Sequence, residues 1–412
     1  MRQVVISLAA MFASLTLLIL GSSLLGTLLA VRLAQAGFSP LASGAVLVLH
    51  SVGFVLGTRL VTRLIRRVGQ VRAFSAFAAI ACAVALIHPL AINGWLWALL
   101  RAVLGFCCAG LIMVLESWIS GRATHASRGA LMGIYQIVYF SAAAGGQYLV
   151  GLASPHEFSV FSLVAILLVL SLVPLAVTRS EAPVMGSTNR LGFRRLWALS
   201  PSGLAGALTA GVATTGFMTL APLYGQAIGM SVDAVALFMT TAVVAAMLLQ
   251  WPLGHLSDLM DRRRVLAALA TFAVIAACAA ALLGQHGGWW LYVTTASVFA
   301  VVGCLYPISL ALVNDHMSDE GPVAASAGLL FAFGIGTCAG PLLGAGVMQI
   351  LGPAGLFWFL ALCLAGLAGF VWRRSLTTEM LPFAEQGRFV SVVAVEASPV
   401  IAELDPRTDA PE

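Results

Sequence analysis

Arg101, Glu116 and His50 are the side chains of this 412-residue chain best placed to do chemistry, since each is ionisable and lies inside a long apolar run. An ionisable group in the middle of a lipid-spanning helix costs about 2.5–3.5 kcal/mol on insertion scales, so one that is kept there binds, couples or braces. Arg101 falls six residues after Trp95 (101 − 95), in the run 95–119. A guanidinium there can bind an anionic or polar group, or tune a nearby proton carrier; the competing role is snorkelling to the interface or bonding backbone carbonyls. Glu116 is the one carboxylate well inside a predicted span, Asp233 standing at the very start of the run 232–256, and it lies fifteen residues beyond Arg101 (116 − 101). That is about 22 Å of helix, too far for a direct pair with Arg101. Its expected partners are Arg63 or Arg67, either as a gate latch that breaks when a cavity opens or as a static brace, with proton carriage as a third role. His50, near the middle of the run 40–62, is either a proton switch or a packing residue, because an imidazole ordinarily titrates near pH 6.5.

A second set is polar without being charged. Tyr135, Gln136, Tyr139 and Gln147 lie in the run 129–153, and Tyr306 lies in the run 289–313. Tyr135 and Tyr139 share a helix face at i, i+4. Against lipid their polar atoms would go unsatisfied, so they are expected to face a cavity or a neighbouring helix. With Arg101 and His50 they make up the binding or coupling candidates. Asp258, Arg262, Arg263 and Asp315 form a third set at run ends, expected to act as a gate that holds the cytoplasmic side shut.

The runs carry no paired carboxylates, no Ser/His/Asp set and no His-rich metal cluster, so an enzyme is not expected. No Walker pattern is present, which removes ATP drive, and no cofactor or metal is expected. Cys82, Cys107, Cys108, Cys278, Cys304, Cys338 and Cys363 all fall in apolar runs without C-x-x-C spacing and read as small packing residues.

The elements that must position these groups are membrane helices. The chain is 60% hydrophobic and 9% charged, against about 25% charged in a usual soluble domain. Twelve runs are long enough to span, at about 20 residues each: 4–33, 40–62, 72–92, 95–119, 129–153, 158–178, 203–226, 232–256, 264–285, 289–313, 323–350 and 354–372. Trp95 and Trp97 are expected as interfacial anchors. Of the 21 basic residues, all but Arg32 and Arg101 fall on one side if the N-terminus is cytoplasmic, including Arg179, Arg388 and Arg407. The positive-inside rule then puts both termini in the cytoplasm. A pI near 9.0 does not point to nucleic acid, because the arginines punctuate apolar stretches rather than forming one basic face. The all-α chain divides into a first six-helix bundle at 1–178, a cytoplasmic linker at 179–202, a second bundle at 203–373 and a cytoplasmic tail at 374–412. Beyond residue 380 no element is assigned; the β-like run Phe389–Val395 is too short to span, and the tail is expected to be mobile.

Gly254-His-Leu-Ser-Asp258-Leu-Met-Asp261-Arg262-Arg263 has a degraded echo beginning at Thr62, 192 residues earlier (254 − 62), with Leu64, Arg67 and Gly69 kept and Arg66 at the Asp position. The stretch resembles the G-x-L-x-D-x-x-G-R-R loop signature of the major facilitator superfamily, with Asp261 where a Gly is usual. Arg101-x-x-x-Gly105 resembles its fourth-helix signature, and Gly340-Pro341-x-x-Gly344 its eleventh-helix pattern. Glu116-Ser117-Trp118, Arg128-Gly129, Gly146-Gln147, Tyr306-Pro307 and Asn314-Asp315 resemble the YcaD-like branch of that superfamily. The resemblance covers about 4–372 and implies two pseudo-symmetric six-helix bundles that rock around a central site lined by helices 1, 4, 7 and 10. A secondary active transporter of a small organic solute is expected, proton-coupled and acting in efflux. Uncoupled facilitation and proton-coupled uptake are the alternatives. The expected setting is a bacterial inner membrane, with the lipid bilayer, a solute and protons as partners, no nucleic acid, and a monomeric state.

Overall fold

Long apolar stretches with satisfied ends give long helices here. The computed structural model describes residues 2–124, 127–152, 154–178, 190–284, 288–317, 322–377, 386–387 and 389–405; Arg179, Arg388 and Arg407 lie outside them. The first six helices are α1 (Arg2–Gln35), α2 (Pro40–Val68, interrupted at Val48), α3 (Gln70–Ile87), α4 (Gly94–Ser120), α5 (Arg128–Leu149) and α6 (Phe158–Val177, interrupted at Ser171). A short helix, Phe193–Leu199, leads into α7 (Pro201–Ala227), α8 (Val232–Leu259), α9 (Arg262–Leu283), α10 (Trp289–Asn314), α11 (Pro322–Leu351) and α12 (Gly355–Thr377).

Eleven of the twelve are apolar enough to cross a membrane by composition alone. The exception is α5, which at 22 residues is long enough but carries the Tyr and Gln residues singled out above. Caps fix several starts. The side chains of Asn93, Ser200 and Ser231 accept backbone N–H groups of α4, α7 and α8. Asp261 does the same for α9, accepting from Arg263 N at 2.9 Å, which gives a physical reason for an Asp in place of the signature's Gly.

The helices group as α1–α6 and α7–α12 around a central cavity. Glycines set the closest crossings. A Cβ on Gly105 of α4 would collide with the His50 carbonyl oxygen, and one on Gly53 of α2 with that of Ala102. That contact holds the α2 and α4 backbones together and brings His50 and Arg101 to one cavity wall. In the second bundle Gly211 of α7 meets Phe333, and Gly340 of α11 meets Val212, in the same way.

The two bundles touch at the end opposite the Arg-rich loops. There Gln35 Nε2 donates to Gln226 Oε1 at 3.2 Å, and Gly44 of α2 lies against Pro341 and Ala345 of α11. Toward the Arg-rich end the bundles meet where Gln136 bonds Gln250 and Arg59 lies over Phe331, and the tail packs against both. Residues 389–405 run between them and end in a short 3-10 helix, Pro399–Leu404. Val392, Val393, Ile401 and Leu404 are all buried. The expectation of a mobile tail is therefore corrected: each of these side chains leaves water for a dry groove, worth about 1.5–3 kcal/mol when complete. Trp97 is a second correction. Trp95 is exposed as an anchor should be, but Trp97 is wholly buried, its indole N–H donating to the carbonyls of His88 and Ala91 at 3.1 and 2.8 Å.

Candidate functional site

The cavity between the bundles has a free volume of about 180 Å³ and is walled by α1, α2, α4, α5, α7, α8, α10, α11 and the tail. Its polar groups are unevenly spread. The first bundle contributes Ser22, Ser23, Thr27, His50, Ser51, Thr58, Arg101, Tyr139 and Gln147. From the second come Thr214, Thr215, Thr219 and Thr337, beside Phe299, Phe331 and Phe333.

Arg101 is 8% exposed, and its buried Nε has no hydrogen-bond partner among the described residues. Arg32, the other arginine outside the Arg-rich end, shares the unpartnered Nε but differs otherwise: its Nη1 donates to the Pro155 carbonyl at 2.9 Å, it lies over the Phe161 ring, and it does not line the cavity. One buried arginine is thus a brace, whereas the other presents unspent donors to a cavity. A buried charge without a partner is costly, so Arg101 is suited to receive an anionic group. His50 Nε2 lies 2.9 Å from Glu396 Oε1 of the tail, while its buried Nδ1 has no partner among the described residues. Glu396 and Arg101 share the cavity and interact electrostatically.

Of the expected binding residues, Arg101, His50, Tyr139 and Gln147 line the cavity. Gln147 is held against α1, accepting from the Thr27 hydroxyl and donating from Nε2 to Ser23 Oγ at 3.0 Å. Tyr135, Gln136 and Tyr306 lie away from the cavity wall. The Tyr135 hydroxyl donates to Glu116 Oε1 at 2.9 Å. Gln136 Nε2 donates to Gln250 Oε1 at 2.7 Å, and Gln250 Nε2 donates to the Val392 carbonyl of the tail at 3.3 Å. Tyr306 packs on Phe333 and lines a smaller pocket beneath the tail.

The charged candidates also rearrange. Glu116 is wholly buried, whereas Arg63 and Arg67 are exposed, so the expected pairing is not formed. Ser398 instead supplies its backbone N–H at 3.0 Å and its hydroxyl to Glu116 Oε2. Asp258, Arg262 and Asp315 do come together: Arg262 pairs with Asp258 at 2.9 Å and with Asp315 at 3.2 Å. All three belong to the second bundle, and each also meets the tail. Phe389 N–H donates to Asp258 at 2.9 Å, Gly387 N–H donates to Asp315 at 3.1 Å, and Arg262 donates to the Gly387 carbonyl. The Phe389 ring fills the space where a Cβ on Gly254 would lie. Arg263 turns aside to His316 Nε2 at 3.0 Å.

At the mouth of the cavity, Arg59 of α2 and Arg190 both lie over the Phe331 ring of α11, with guanidinium carbons 4.2 and 4.9 Å from its centroid. Burial, and then the adjacent charge of Arg59, pull the Arg190 guanidinium below its ordinary pKa. Sequence reasoning missed this pair, the threonines of α7 and the whole tail. Thr214-Thr215 with Thr219 was a legible polar stripe at helical spacing; the tail gave only apolar runs around Glu396.

Comparison with known proteins agrees with this architecture. The profile of the Major Facilitator Superfamily matches residues 11–248 and 203–402. The chain is 30% identical over 354 residues to the uncharacterised MFS-type transporter YcaD of Shigella flexneri, covering 85% of this chain and 91% of that protein. A relative from Enterobacter sp. (strain 638) is 29% identical over 347 residues, covering 82% and 88%. Among solved structures, the nucleoside transporter NupG superposes with a TM-score of 0.70 at 13% identity, covering 90% of this chain and 99% of that one. A bacterial homologue of the human lysosomal transporter Spinster, inward-facing and occupied, gives 0.69 at 17% identity, covering 92% and 97%. At such identities these structures speak for the fold alone. The match across both halves and the 30% relatives place the chain by family: it belongs to the Major Facilitator Superfamily and is a multi-pass membrane transporter, not an enzyme.

Proposed function

We propose that this transporter exports a small organic solute bearing an anionic group, driven by protons, with residues 1–178 and 203–373 rocking about the cavity and residues 179–202 linking them. The observation that carries the reading is Arg101, a buried cation with an unpartnered Nε on the cavity wall. Both termini are taken as cytoplasmic, from the arginine distribution of the inner-membrane chain. The closed end is then periplasmic and the cavity faces inward, where an exporter loads. The apolar and aromatic wall of the second bundle suits the body of an amphipathic solute, and His50 beside Arg101 is the proton-responsive group. The Asp258–Arg262–Asp315 cluster acts as a cytoplasmic gate element, with Glu116 as a brace of the first bundle. Function as a monomer completes the reading.

A second reading, uncoupled facilitation, is favoured by one observation: among the described residues no Asp or Glu from a span lines the cavity. The deciding experiment begins with a thermal-shift screen of detergent-solubilised protein against metabolites and antibiotics, run beside Arg101→Ala. A ligand that raises the wild-type midpoint and loses its effect in the variant supports the site; stabilisation that survives moves it elsewhere. Flux of that ligand in proteoliposomes, with and without an imposed pH gradient, then separates coupled export from facilitation.

A further inference from the structure

The cavity already holds a carboxylate, and it belongs to the protein. Glu396 reaches His50 from a tail that enters between the bundles, and it is the one non-glycine residue with positive φ among the described residues, at 51°. That conformation is unfavourable for a residue other than glycine, because Cβ crowds the following carbonyl oxygen. It persists because the flanks are fixed: Phe389 on Asp258, Val392 on Gln250 and Ser398 on Glu116. On either side of Glu396, Val395 and Ala397 also line the cavity. The segment thus presents one anionic head among small apolar groups, between a charged wall and an aromatic one.

We infer that the tail is a built-in competitor of the transported solute, with Glu396 standing where the solute's carboxylate binds, and that the site therefore takes amphipathic organic monocarboxylates. The inference rests on the cavity being the solute site. Three independent features agree on the charge: Arg101 offers unspent donors inside, Arg59 and Arg190 make the mouth positive, and the occupant is an acid. The size agrees as well. Some 180 Å³ remains free with the tail in place, below the roughly 300–1,000 Å³ of common small-molecule sites, so a site of ordinary size requires the tail to withdraw. Tail release and solute binding are then linked, and whatever weakens the tail raises apparent affinity by the fraction of competent sites it restores.

The test uses full-length protein and N-acetyl-L-phenylalanine, an amphipathic monocarboxylate, beside its neutral amide. Binding is read by thermal shift, and the tail by hydrogen–deuterium exchange of residues 389–405. The acid is expected to bind Glu396→Ala at least tenfold more tightly than wild type, and to speed exchange across the tail in wild type; the amide should do neither. Phe389→Ala, which loosens the anchor outside the cavity, is expected to shift affinity in the same direction and guards against a folding defect at position 396. Equal affinity in wild type and both variants would overturn the competition, and so would unchanged tail exchange at saturating acid. Equal binding of acid and amide, or binding of neither by any variant, would overturn the monocarboxylate assignment. Arg101→Ala separates this from the reading beneath it. Acid binding that survives in Arg101→Ala removes the cavity as the solute site. Acid binding lost there but equal in Glu396→Ala and wild type removes only the tail's role.

Discussion

Across the cavity, His50 on α2 and Arg101 on α4 face Thr214, Thr215 and Thr219 on α7 and Thr337 on α11. The two walls are built alike. Each rests on a helix crossing where glycines let backbones meet, Gly53 and Gly105 on one side, Gly211 and Gly340 on the other. They differ in what they display: both carry hydroxyls and aromatic rings, but only the first adds ionisable groups from its spans, His50 and Arg101. The signature loops repeat the lesson. Asp258 anchors Arg262 and the tail in the second bundle, whereas its counterpart in the first is Arg66. In this duplicated chain the packing device is symmetric and the chemistry is not, and each half can be broken separately.

The largest effect is expected on the charged wall. Removing one partner of a buried charge pair costs about 2–5 kcal/mol. Arg101→Ala should therefore lower transport about 100-fold or more in proteoliposomes while leaving a monodisperse protein by size-exclusion chromatography. Retained transport would show that the asymmetry of the walls has no functional weight. At the hinge of that wall, Gly105→Ala forces a methyl group against the His50 carbonyl. Overpacking of this kind costs about 1–3 kcal/mol, visible as a lowered unfolding midpoint, and it should disturb transport by moving His50 relative to Arg101.

Much of this was legible in the sequence, for reasons that also mark where legibility stopped. Hydropathy reports the length of each span because the bilayer thickness is fixed, and α5 stood out because Tyr135, Gln136, Tyr139 and Gln147 are wasted on lipid. The Arg101–Gly105 spacing pointed to a charge and a close crossing on one helix. What the crossing met was not legible, since nothing near Gly105 names His50 as its neighbour. Glu116 shows the limit most clearly. Its expected partners were chosen by membrane depth, yet Ser398 reaches it from 282 positions away. A tail whose apolar residues are too few for a span carries no periodic signal that says which groove will take them.

The comparison of loops yields a middle-sized effect. Asp258→Asn keeps the shape of the side chain but weakens its hold on Arg262 and on the Phe389 N–H. Exchange of residues 389–405 should rise several-fold, whereas the matching change in the first bundle, Arg66→Gln, should leave tail exchange unaltered. Equal responses would mean that the tail is held by its apolar groove alone. His50→Gln probes the charged wall differently. Arg101, Glu396 and, at the mouth, Arg190 are the charged groups that line the cavity with His50, and Gln retains a hydrogen-bonding amide without titrating. Wild-type transport should respond to pH, and the variant's profile should be flat over the range in which wild type changes. A profile unchanged in the variant would assign the proton response to another group.

The smallest effect is expected on the hydroxyl wall. The Thr215 hydroxyl already donates to the Gly211 carbonyl one turn back, at 2.5 Å, so its donor is committed within α7. It can offer a solute only acceptor lone pairs. A neutral hydrogen bond contributes about 1 kcal/mol net, which corresponds to roughly fivefold in affinity. Thr215→Val, of nearly the same shape, should therefore raise the KM of transport by no more than about fivefold and leave the maximal rate and the pH profile unchanged. A loss as large as that of Arg101→Ala would show that the second wall supplies a specific polar contact of its own. The two walls would then differ in the sign of charge they tolerate rather than in how much of the recognition they carry.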